Sequence, residues 1–116
     1  MITGIGVDIV ELTRIEDIIE TNEAFVKRVL TEKEWLLFTE LGKKRQVEFL
    51  GGRFACKEAF SKAFGTGIGK VGLQDIEILK EDTGRPVVTQ SPFEGKVHVS
   101  ISHTKDMAIG QIVLEK

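Results

Sequence analysis

Apolar positions along this chain follow two periods in turn, and the change between them divides the sequence. The opening stretch "ITGIGVDIV" (2–10) alternates, which predicts a strand with Ile5, Val7 and Ile9 on one face. Gly4, Gly6 and Asp8 fall on the other face. The spacing then becomes helical. "TRIE" at 13–16 has the form of a capping box and predicts a short helix with an Ile15, Ile18, Ile19 stripe. Asn22 is placed to cap a further turn or two through Phe25, Val29 and Leu30. A second box, "TEKE" at 31–34, opens a helix carrying Trp35, Leu36, Phe38 and Leu41, with Gly42 as its stop. After "KKR" at 43–45 a long helix is expected to run to about Phe64 and to end at Gly65. Gly51 and Gly52 interrupt it at a cost of up to ~1 kcal/mol each against alanine, which implies that something approaches the helix closely there.

Alternation returns in the second half. Residues 75–80, 85–90, 96–102 and 107–115 read as strands, with "EDTG" (81–84) and "HTKD" (103–106) as turns between them. The glycines of "GTGIGKVG" (65–72) follow a helix C-terminus, where the dipole is negative, and no Walker pattern surrounds them. They fit a C-cap and a flexible connector better than a phosphate loop. The expected fold is α+β: one domain over 1–116, a helical block packed on a small antiparallel β-meander that the N-terminal strand joins.

Composition narrows the function. A net charge of −2 argues against a general nucleic-acid binder. No stretch approaches the ~20 apolar residues of a membrane span, and the start lacks the basic region of a signal peptide, so a cytoplasmic protein is expected. The lone cysteine, Cys56, lies on the apolar face of the long helix and reads as a small buried hydrophobe.

That helix poses the chemical question. Cys56, Ala59, Phe60, Ala63 and Phe64 share one face, whereas Glu58 and Lys62 lie one turn apart on the opposite side. They are either an i,i+4 ion pair on a solvated surface or part of a site. Asp8 is equally ambiguous: it either points to solvent from a strand of Gly, Ile and Val, or joins Glu58 in a two-carboxylate site. Two carboxylates ~4 Å apart repel by roughly 4 kcal/mol at an effective dielectric of 20, so such a pair needs a shared proton or a divalent cation. Oxygen-only donors favour Mg²⁺ gripping phosphates. One Cys and two His make a poor zinc set. His98 and His103 fall on opposite faces of one strand, which disfavours a shared metal; His98 reads as a surface or satisfied histidine. There is no G-x-S-x-G elbow to support a serine hydrolase.

Three stretches together, "GIGVDIVE" (4–11), "FLGGRFACKEAFSKAFGTGIG" (49–69) and "VSISHT" (99–104), resemble the holo-acyl-carrier-protein synthase family of small-type 4′-phosphopantetheinyl transferases. The resemblance runs the length of the chain. It implies a phosphopantetheinyl transferase fold and transfer of phosphopantetheine from coenzyme A to a serine of apo acyl carrier protein, in the service of fatty acid biosynthesis. Carried onto this sequence, it implies that Asp8, Glu58 and Lys62 are catalytic, with Asp8 and Glu58 holding Mg²⁺. The coenzyme A site would draw on Lys44, Arg45, Arg53, Lys62, Gly65, His103 and Thr104. Arg14, Lys27 and Arg28 would dock the acidic carrier, although Glu16, Asp17 and Glu20 make the first helix acidic overall. The family also implies a homotrimer with active sites between subunits, and a serine base that is either Glu58 or a water on the metal. A non-enzymatic coenzyme A-binding module would keep the cations without needing Asp8 beside Glu58.

Overall fold

The computed structural model describes residues 1–66 and 71–116; residues 67–70 of the glycine-rich connector, and the flexible-connector reading of them, lie outside the described residues. In chain order the elements are β1 (Ile2–Glu11), α1 (Leu12–Thr21), α2 (Glu23–Val29), α3 (Glu32–Thr39) and α4 (Lys43–Phe64). A 3₁₀ turn at Leu73–Asp75 follows, then β2 (Glu77–Lys80), β3 (Pro86–Gln90), β4 (Lys96–His103) and β5 (Met107–Glu115). No helix among the described residues is long and apolar enough to cross a membrane.

Local signals account for most of the helix ends. The Asn22 side chain accepts the Phe25 N–H at 3.1 Å and so starts α2. The Thr31 box is complete: Thr31 Oγ1 accepts from the Glu34 N–H at 3.3 Å, and Glu34 Oε1 accepts from the Thr31 N–H at 2.8 Å. Gly65 closes α4 in a left-handed conformation with φ 84°. The box at 13–16 does not form. Helix α1 starts two residues earlier, with Glu11 rather than Thr13 as its N-cap and with no side-chain bond there, and the Leu12 N–H is satisfied by Asp106 O at 2.8 Å. A distant turn supplies what a local cap would have supplied.

The sheet also departs from expectation. Strand β1 joins β5 and β4 in an antiparallel sheet of order β1-β5-β4, but β2 and β3 pair only with each other. The expected single meander is therefore split in two. Strand β3 begins at Pro86, which has no N–H to add to a ladder. The facing edges of β3 and β4 leave a cleft lined by Arg85, Pro86, Val87 and residues 97–101.

Helix α4 lies between two cores. Cys56, Ala59 and Phe60 face Ile112 and Leu114 of the sheet, while Val47 and Leu50 join Leu12, Ile15, Val26, Val29 and Phe38 on the helical side. Burial pushes the Cys56 thiol up to about 12, which keeps it protonated and inert, as expected of a buried hydrophobe. Glycines set how closely the sheet approaches. A Cβ at Gly4 or Gly6 would collide with the Ala63 or Ala59 carbonyl oxygen, and one at Gly110 would lie 2.7 Å from Cys56 Sγ. On α4 itself, Gly51 and Gly52 admit Leu12 and Ile101 side chains that a Cβ would meet at 2.6 and 2.9 Å. The two glycines inside the helix thus mark a close approach, as their cost implied.

Candidate functional site

Strand β1 packs its glycine face on α4, and Asp8 lies on that same inner face, opposite Gly110 in the register with β5. The outer face carries Ile5, Val7 and Ile9, each more than half exposed. Asp8 is therefore held at the margin of the α4 contact, its side chain 20% exposed. There it meets α4. Lys62 Nζ lies 2.9 Å from Asp8 Oδ1 and also donates to Val7 O at 3.2 Å. The lysine reaches across to the strand rather than back along its own helix, so the i,i+4 reading of Glu58 and Lys62 does not describe its closest contact.

Asp8 and Glu58 line one cleft of about 360 Å³ with Ile9, Val10, Glu11, Arg14, Phe54 and Met107. Burial raises the Glu58 carboxyl above its ordinary value and the neighbouring Asp8 charge adds to this, against the pull of Lys62 and Arg14. Among the described residues, no group of three or more His, Cys, Asp or Glu is placed to hold a metal. What remains is a pair of oxygen donors, with Glu11 a third carboxylate in the lining, a donor set that fits a hard divalent cation completed by waters and phosphate oxygens.

Apart from Lys62, the cations assigned to the coenzyme A site by the resemblance fall elsewhere. Lys44, His103 and Thr104 line a cleft of about 730 Å³ with Leu12, Glu16, Lys43 and Val47. Arg45, Arg53 and His103 line an adjoining cleft of about 500 Å³ together with Lys80 and Pro86. Neither cleft shares a lining residue with the one that holds Asp8 and Glu58. Thr104 Oγ1 accepts from the Asp106 and Met107 N–H groups and so shapes the β4–β5 turn. Gly65 caps α4 three residues beyond Lys62, where an added Cβ would meet open space. His98 pairs with Glu115 at 2.9 Å, the satisfied surface histidine that its position suggested.

Arg14, Lys27 and Arg28 do not form one patch. Arg14 lines the carboxylate cleft itself. The Arg28 guanidinium lies 5.6 Å from the Phe25 ring, which packs edge-on against Phe54 of that cleft. Lys27 turns away, over Trp35 at 5.0 Å and paired with Glu23 at 3.3 Å. Two of the three acidic residues of α1 are also directed away: Glu20 pairs with Lys43 at 2.8 Å, and Glu16 lines the Lys43–Lys44 cleft. The charge that reaches the Glu58 cleft from α1 is therefore Arg14, not the helix's net negative sum.

Sequence reasoning overlooked a second charged group on α4. Lys57 and Glu34 are both fully buried and paired at 2.6 Å. Lys57 Nζ also donates to Val29 O at 2.6 Å, and Glu34 Oε2 accepts the Ile78 N–H at 2.8 Å. Arg53, one turn earlier, is 8% exposed and donates to Ile78 O and Leu79 O while stacking on Phe49 at 4.0 Å. Its guanidinium ties β2 to α4, whatever it offers the adjoining cleft. The signal was present in the Thr31 box, where Glu34 was read only as a cap. Glu48 was passed over as well: its carboxylate lies 3.8 Å from His103 and lines both cationic clefts.

Comparison with known proteins adds three findings. The sequence profile described as the 4′-phosphopantetheinyl transferase superfamily matches residues 4–114. A holo-[acyl-carrier-protein] synthase of Enterococcus faecalis is 67% identical over 115 residues, spanning 99% of this chain and 98% of that protein. One of Geobacillus is 54% identical over 117 residues, spanning 100% and 98%. Among solved structures, a holo-(acyl-carrier-protein) synthase from Bacillus anthracis in complex with CoA (3′,5′-ADP) superposes with a TM-score of 0.93 at 50% identity, covering 100% of this chain and 98% of the other. The Helicobacter pylori synthase in complex with coenzyme A gives a TM-score of 0.82 at 34% identity, covering 96% and 99%.

Proposed function

The chain belongs to the 4′-phosphopantetheinyl transferase superfamily, and from that premise we infer that it is a holo-[acyl-carrier-protein] synthase. It transfers 4′-phosphopantetheine from coenzyme A to a serine of apo acyl carrier protein. The serine oxygen forms a bond to the phosphorus that carries pantetheine, the pyrophosphate bond breaks, and adenosine 3′,5′-bisphosphate leaves. The carrier's serine is the nucleophile, so the enzyme needs none of its own. Phosphoryl transfer asks the protein mainly for positioning and charge neutralisation.

The observation that carries this reading is the convergence of Asp8, Glu58 and Lys62 from β1 and α4. Asp8 and Glu58 would hold Mg²⁺, which when bound polarises phosphoryl oxygens and templates the two substrates. Lys62 offsets negative charge beside them. Glu58, which lines the cleft beside Asp8, is the protein group that would accept the serine proton. Lys44, Arg45, Arg53, His103 and Thr104, from the cationic clefts, would hold the nucleotide, with Gly65 beside the phosphates near Lys62. Arg14 and Arg28 would receive the acidic carrier, with Lys27 further from the reacting groups.

A cytoplasmic homotrimer completes the reading. Its support is an exposed apolar face rather than the clefts, which adjoin within one chain at Glu11–Leu12 and Thr13–Arg14. The exposed Ile5, Val7, Ile9 and Ile109 supply that face; the number three comes from the resemblance alone. Light scattering should return three copies of the 12.9 kDa chain, and a fully active monomer would refute the assembly. The reaction is tested with purified protein, coenzyme A, Mg²⁺ and apo carrier, read by intact mass. The carrier should gain one phosphopantetheine; no gain in mass overturns the function.

A further inference from the structure

Two very different surfaces hold α4. Toward β1 and β5 the closest approaches are Gly4, Gly6 and Gly110 against Ala59, Ala63 and Cys56. Phe60, Ile112 and Leu114 pack beside them. Apolar packing of this kind holds a helix by shape rather than by bond direction.

The opposite flank has the directionality that this contact lacks. Lys57 Nζ donates to Val29 O and to Glu34 Oε1, both at 2.6 Å. Glu34 in turn accepts the Thr31 and Ile78 N–H groups, each at 2.8 Å. Thr31 Oγ1 donates to Glu77 Oε2 at 2.6 Å, and Thr89 Oγ1 donates to Glu77 Oε1 at 2.8 Å. The α2 C-terminus, the α3 N-terminus, α4, β2 and β3 thereby meet at one cluster, buried at Lys57 and Glu34 and open to solvent only at Thr89, and no buried side-chain polar atom among the described residues lacks a partner. A fully buried ion pair is weak evidence for stability because desolvation offsets its attraction, and fixing a register is the best-attested reason to keep one.

Lys57 immediately precedes Glu58. One residue along a helix is about 100° of rotation, so the bonds that aim Lys57 at Val29 and Glu34 aim Glu58 toward the Asp8 cleft. We infer that Glu34 and Lys57 are positioning residues of the transfer reaction, a directional lock that orients α4 so that Glu58 faces Asp8. This rests on the phosphopantetheinyl transfer proposed above. Neither residue lines the carboxylate cleft or the two cationic clefts, so each acts through Glu58.

The test compares Lys57→Met and Glu34→Gln with Leu114→Ala, which opens a cavity in the sheet-side core and touches none of the clefts. Transfer to apo carrier is measured at a temperature where circular dichroism shows each protein folded. The lock predicts that kcat per folded molecule falls at least about tenfold in Lys57→Met, because small misplacements of reacting groups are costly. The Michaelis constants for coenzyme A and carrier should change less than about twofold, since no binding contact is lost. Leu114→Ala should lose thermal stability yet keep its kcat. Wild-type kcat in folded Lys57→Met, or an equal loss in Leu114→Ala, overturns the inference. If Lys57→Met does not fold, Glu34→Gln decides by the same criterion; if neither folds, the cluster is purely structural and the positioning role is refuted. No transfer by the wild-type protein would instead refute the function on which the inference rests.

Discussion

Helix α4 carries charges on two flanks, and they are arranged in opposite ways. On the flank toward α2, α3 and β2, Lys57 and Arg53 are buried, and their hydrogen bonds match each donor to a carbonyl or carboxylate. On the flank toward β1, Asp8, Glu11 and Glu58 place three acids in one cleft with Arg14, and Lys62 lies half exposed beside them. Burial lowers the proton affinity of Lys57 and Arg53, with Glu34 opposing, whereas burial and a like charge raise that of Glu58. The first flank is electrostatically closed. The second carries an excess of negative charge that suits it to a cation and a phosphate, and that excess would make it the reactive side of the proposed transfer.

The largest effects should separate the flanks. Asp8→Ala and Glu58→Ala are each expected to lower transfer by about a hundredfold or more while leaving the fold intact, as losses of transition-state charge stabilisation do. Unchanged turnover in either variant removes that residue from the site. Chelating divalent cations should abolish wild-type transfer, and activity that survives thorough chelation would show that the two carboxylates serve some other purpose.

A middle-sized effect concerns the approach of the carrier. Arg14 lines the reactive cleft, whereas Lys27 is turned to Trp35 and Glu23. Arg14→Ala should raise the Michaelis constant for the carrier roughly fivefold, equivalent to about 1 kcal/mol. It should leave the constant for coenzyme A unchanged and flatten the salt dependence. Lys27→Ala should do less than Arg28→Ala. The reverse order would move docking to the far side of α2.

The smallest effect concerns stability. Because the folded state raises the Glu58 carboxyl, its contribution to stability is complete below the unfolded value of about 4.3 and is lost as pH rises through the raised value. At pH 7 without metal, Glu58→Gln should therefore be slightly more stable than wild type. A Tm gain of roughly one to three degrees is expected, since solvent screens a partly exposed group. The gain should vanish near pH 4. A lower Tm at pH 7 would mean that Glu58 is held by partners that favour its charge, which would erase the contrast between the flanks.

The sequence by itself determined the elements whose causes are local. Alternation marked β1, β4 and β5, the Thr31 box and Asn22 set the starts of α3 and α2, and Gly65 ended α4. It also singled out Asp8 as out of place on its strand, and the motif around Glu58 carried the family. What it missed depended on partners far away in the chain. The start of α1 is fixed by Asp106 O, and Pro86 and the β3–β4 gap divide the sheet. Lys62 finds Asp8 across 54 residues rather than Glu58 one turn away, and Lys57 finds Glu34 across 23. Periodicity reports which face of an element is apolar, but a charge chooses among all the groups that tertiary packing brings within about 4 Å. On α4 the same kind of side chain became a lock on one flank and a site on the other, and only the folded chain could decide which.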